Sequence, residues 1–130
     1  MKSILSSLLA ATLILGFVGC TSTPSRQAYN VVAVPAVTVD HVMAGWGDYV
    51  AKYAPSADEE RQVKAAYEKY QVAEIMAIDA AQAYATLAAS GATNAIDLAA
   101  SLVNNQNASQ AASQALADLV KLVESFGVKL

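Results

Sequence analysis

Residues 56–94 read SADEERQVKAAYEKYQVAEIMAIDAAQAYATLAASGATN, and the fold turns on them. Ser56 with Glu59 three residues on has the form of a capping box, so Ser56 is the expected N-cap of a helix. Asp58, Glu59 and Glu60 place negative charge on the first turn, where the helix dipole favours it. Helix-compatible residues then continue to Ala89, and Ser90-Gly91 breaks them, which gives a rod of roughly 50 Å at 1.5 Å per residue. Asn94 and Asp97 open a second helix expected to run to about Phe126, with Gly127 as its stop. Two helices of nearly equal length joined by about five residues must lie antiparallel. The predicted fold class is all-α: an antiparallel helical hairpin of two long helices with a short preceding helix.

Steps of three and four give each long helix an apolar seam. The first seam connects Val63, Ala66, Tyr70, Ala73, Ala77, Ala80, Tyr84 and Leu87. The second connects Ala95, Leu98, Leu102, Asn105, Ser109, Ala112, Leu116, Leu119, Val123 and Phe126. The alanines let the axes approach near the low end of the usual 8–10 Å range. Asn105 and Ser109 interrupt the second seam. Folding the hairpin brings Asn105 opposite Ala80 to Tyr84, where a Tyr84 hydroxyl bond to Asn105 is expected to fix register.

Upstream, Val39, Val42, Met43, Trp46, Val50 and Tyr53 share one face of the short helix, which Pro55 ends. Gly45 and Gly47 flank Trp46 and weaken that helix by roughly 1 kcal/mol each, while permitting close approach of another element. Residues 31–39, VVAVPAVTV, are β-branched and contain Pro35, so they read as an extended segment, with a short edge strand as the alternative. Residues 21–30, TSTPSRQAYN, read as a flexible tether. The expected organisation is a leader over 1–19, a tether over 20–38 and a helical domain over 39–130.

Residues 1–20, MKSILSSLLAATLILGFVGC, combine a basic start at Lys2 with an apolar run from Ile4 to Val18 that is short for a membrane span. Cys20, the only cysteine in the chain, follows Gly19. The segment resembles a bacterial lipoprotein signal peptide, with Phe17-Val18-Gly19-Cys20 as the lipobox; Phe17 stands where that pattern prefers leucine. The resemblance implies cleavage between Gly19 and Cys20, a diacylglycerol thioether on Cys20 and an acylated new amine, typically with palmitate. Two or more chains make such an anchor stable, at about 0.8 kcal/mol per buried methylene. Thr21, rather than aspartate, implies the periplasmic face of the outer membrane in a diderm host, or the cell surface in a monoderm one.

The rest of the sequence offers little chemistry. In 130 residues, 55% are hydrophobic, 15% charged, and the net charge is −3, which argues against a nucleic-acid partner. His41 is the only imidazole, and Asp48 is seven residues, about 10 Å, along the axis, so Asp40, His41 and Asp48 do not share a metal. Glu74 and Asp79 lack the Glu-x-x-His pairs of a di-metal bundle. No glycine-rich phosphate loop is present. No catalytic residue, cofactor or metal is expected, and the chain is read as a non-enzyme.

Charge distribution is more informative. From Ala80 to Ala117 the only charge is Asp97. Such a surface packs on a partner without desolvating ions, which makes Gln82, Ser90, Gly91, Thr93, Asn107 and Gln110 the candidate interaction surface. The expected function is a lipid-anchored cell-envelope protein with a structural or adaptor role. Its partners are the membrane, through Cys20, and a second copy or another envelope protein. The alternative is a small phage- or plasmid-type exclusion or immunity lipoprotein that binds and inhibits a partner.

Overall fold

The computed structural model describes residues 24–91 and 94–130, with side chains from Thr38 onward apart from those of 92–93. Three helices follow one another: α1 (Pro24–Tyr53), α2 (Ala57–Ala89) and α3 (Ala95–Ser125). The hairpin of α2 and α3 is the predicted one, and its ends are made as the sequence implies. Ser56 Oγ accepts from the Glu59 backbone N–H at 3.3 Å, and Glu59 Oε2 accepts from the Ser56 N–H at 2.7 Å. That backbone bond, with the Ser56 hydroxyl, holds the Glu59 carboxyl below its usual range. Asn94 Oδ1 accepts from Ile96 N–H at 3.1 Å and so caps α3. Gly91 and Gly127 adopt φ of +65° and +91°, the left-handed conformation that glycine takes without a Cβ clash.

The preceding helix differs from expectation. Residues 24–30, expected as part of a flexible tether, and 31–39, expected as extended, are both helical, so the helical part begins at Pro24 rather than at 39, and α1 is 30 residues long, close to the 33 of α2 and the 31 of α3. Each valine or threonine lowers helix propensity by only a few tenths of a kcal/mol. Extending a helix already nucleated downstream avoids the cost of starting one. Proline is well suited to a first helical position, as at Pro24. Pro35 does lie inside the helix, where it leaves the Val31 carbonyl without its usual donor at a cost of about 3 kcal/mol.

The core lies where all three helices meet. Val39, Val42 and Trp46 of α1 pack with Val63 and Tyr70 of α2, with Leu116, Leu119 and Val123 of α3, and with Val128 beyond it. Trp46 stacks on Tyr49 at 5.4 Å and meets Phe126 at 5.9 Å. Tyr53, expected on this face, is 59% exposed and touches only its rim through Tyr49. A Cβ on Gly45 would come within 3.0 Å of the Leu130 side chain. The glycine therefore admits the C-terminal segment rather than another helix. Farther along the hairpin, Ala77, Ala81 and Ala112 form a second cluster in which the two helices meet through small side chains. The exposed Lys69–Asp118 pair at 3.6 Å bridges α2 and α3 and adds at most about 1 kcal/mol.

Candidate interaction surface

Along α3 runs an open groove of about 1010 Å³ lined by Gln106, Asn107, Ser109, Gln110, Ala111, Ser113 and Gln114, with buried Ser109 at its floor. The helical repeat places these residues within three turns. They supply amides and hydroxyls, with no titratable group. The groove brings together Asn107 and Gln110, two residues of the predicted surface. Gln82 is exposed on α2 and is not part of it. Ser90 donates its hydroxyl to the Leu87 carbonyl at 2.8 Å, closing the end of α2, and Gly91 forms the turn. Thr93, Gly19 and Cys20 lie outside the described residues.

A second surface is apolar and was not anticipated. Val72, Ile75 and Met76 are 61%, 59% and 61% exposed on the outer face of α2. Ile96 and Val103 are similarly open on α3. The signal was in the sequence as a second i, i+3, i+4 set off the hairpin seam, overshadowed by the stronger seam pattern.

The middle of the hairpin holds buried polar groups. Asn105 Oδ1, Ser109 Oγ and the Tyr70 hydroxyl have no hydrogen-bond partner among the described residues. The expected Tyr84 bond to the Asn105 oxygen is therefore not formed, although Asn105 is buried as the seam requires. Each such orphan costs about 1–3 kcal/mol. Burial is the main reason the Tyr70 phenol titrates above its usual range; the Glu74 carboxylate, close to the hydroxyl but outside hydrogen-bond geometry, comes next, and Tyr67 and Asp40 add to the shift.

No family model, curated protein or solved structure matches this chain.

Among the described residues no group of three His, Cys, Asp or Glu is placed to hold a metal ion, and His41 is exposed. No described helix is long and apolar enough to cross a membrane.

Tyr70 yields a test of the buried polar seam. A folded-state value raised above that of an unfolded tyrosine, about 10, means that the stabilisation is present below pH ~10 and lost as the pH climbs beyond it. Tyr70→Phe keeps the ring and removes both the orphaned hydroxyl and its titration. The variant is expected to be more stable by about 1 kcal/mol at neutral pH, and its advantage should grow above pH ~10. Thermal melts of the two proteins at both pH values measure this. A variant that is less stable at neutral pH would mean that the hydroxyl has a partner.

Proposed function

We propose that this chain is a lipid-anchored cell-envelope protein whose helical bundle has a structural or adaptor role. The observation that carries the reading is Cys20: the one cysteine of the chain directly follows Gly19 at the end of a short apolar run with a basic start. Thioether formation needs a thiol at that position and nowhere else. By its resemblance to lipoprotein leaders the protein belongs on the periplasmic face of the outer membrane in a diderm host, with Thr21 as the sorting residue, or on the cell surface in a monoderm one. The adaptor role draws on Val72, Ile75 and Met76, which form a contiguous apolar patch that a solvated helix face has no need of.

The test is metabolic labelling with a palmitate analogue in cells that express the full chain with its own leader. Cys20→Ser is expected to abolish labelling and leave an uncleaved or soluble form. Persistent labelling of the serine variant removes the lipoprotein reading. For the adaptor role, Ile75→Glu on the exposed face should remove cross-linked adducts of the anchored protein while helicity by circular dichroism is kept. Adducts that survive the charge place the contact elsewhere.

A further inference from the structure

The direction of α1 decides which end of the bundle faces the membrane. Trp46 and Val50 line one groove with Ala57, Glu60 and Lys64. Asp40, farther back on α1, is near Tyr70, farther forward on α2. Numbers fall along α1 as they rise along α2, so the two helices are antiparallel. At 1.5 Å per residue, the 30 residues of α1 reach back about 45 Å from the loop at Ala54–Ser56, and the 33 residues of α2 rise about 50 Å from the same loop. Pro24 therefore lies within about one turn of the level of Ala89 and the Ser90–Gly91 turn. A bend at Pro35 would tilt the first turns of α1 without reversing them.

Only Thr21, Ser22 and Thr23 separate Cys20 from Pro24, and four residue steps span at most about 14 Å. An acylated Cys20 thus brings the start of α1, and the hairpin tip beside it, to the bilayer surface. The charges are distributed to match. In the third of the bundle nearest Pro24, over residues 24–33, 80–89 and 95–104, only Arg26 and Asp97 are charged, and they cancel. The acidic excess lies farther along the bundle, over residues 40–79. An anionic leaflet tolerates the neutral tip and repels the acidic residues beyond it. At the neutral end Ile96 is 78% exposed on the first turn of α3.

We infer that the hairpin tip, with the Ser90–Gly91 turn and Ile96, rests on the lipid surface that carries the Cys20 anchor, and that the base of the hairpin points away from it. This placement rests on the lipoprotein reading. The partner is a phospholipid headgroup layer, entered by Ile96, and the contact needs no basic cluster.

Acylation consumes the native thiol, so an introduced cysteine is the only one open to labelling. Ala95 and Ala57 are matched sites: each is exposed and begins a helix, one at the tip and one at the base. The lipidated full chain carrying A95C or A57C is labelled with a fluorophore and reconstituted in vesicles of phosphatidylethanolamine and phosphatidylglycerol that bear a headgroup nitroxide. The label on A95C is expected to be quenched several-fold more than the label on A57C. Adding Ile96→Glu should relieve part of the quenching while the protein still floats with the vesicles. Equal quenching, stronger quenching at the base or quenching at neither site overturns the placement, and quenching indifferent to Ile96→Glu overturns entry of that side chain. Protein that does not float with the vesicles removes the lipoprotein reading itself, and the tip placement with it.

Discussion

Trp46→Ala should lower folding stability by about 3–5 kcal/mol, the usual cost of emptying a buried aromatic site. The indole is 7% exposed and is held between Tyr49 of α1 and Phe126 at the end of α3. Its removal takes away apolar burial and two ring contacts, and leaves a space that Val42 and Val128 are too short to fill. Against a typical total of 5–15 kcal/mol, this is a large fraction of the fold. Tyr53→Ala is the control. Tyr53 is mostly exposed and its ring meets Tyr49 at 5.0 Å and the Lys52 ammonium at 5.0 Å, so its loss should cost no more than about 1 kcal/mol. Urea unfolding followed by circular dichroism measures both. A loss at Trp46 no greater than at Tyr53 would mean that α1 is not docked on the hairpin. That result would also remove the fixed direction of α1 from which the membrane-facing end is argued.

The hairpin was legible because its signals are local and redundant. Ser56 and Glu59, Asn94 and Asp97, and Ser90-Gly91 mark ends through bonds made within one turn, and these are the ends observed. The seams were legible in the lower and middle hairpin because burial follows the helical repeat, so Val63, Tyr70, Ala77, Ala112, Leu119 and Val123 are buried as their spacing requires, whereas Ala95 and Leu102, placed on the second seam nearer the tip, are exposed. The start of α1 was not legible. The valines disfavour a helix only weakly per residue, and the larger cost of Pro35, about 3 kcal/mol, was outweighed by continuity with a helix already packed downstream. Nor did Gly45 announce its neighbour, because Leu130 reaches it from the opposite end of the sequence. Asn107 and Gln110 line one groove because residues three apart share a helix face. Gln82 was grouped with them by composition alone, and composition does not say which side of the hairpin a residue faces.

The alanine seam makes the sharpest demand on packing. Ala77 and Ala81 are fully buried and Ala112 nearly so, and together they form the cluster beyond the aromatic core. With methyl groups on both sides, the helices are close and leave no cavity for a larger side chain. Ala77→Leu should therefore force an off-rotamer side chain or separate the axes, at a cost of about 1–3 kcal/mol. Leucine is nearly as good a helix former as alanine, so propensity does not explain such a loss. Gln71→Leu, on an exposed position of the same helix, should change stability by less than about 0.5 kcal/mol. Ala73, half-buried beside the same cluster, should fall between the two. Denaturant midpoints for the three variants give the order directly. The membrane-facing tip is carried on this seam, so a separated hairpin should also weaken the contrast in lipid quenching between tip and base. Equal midpoints for Ala77→Leu and Gln71→Leu would show that the helices are not in close contact at Ala77, and a hairpin that loose would not hold Ile96 at a fixed depth.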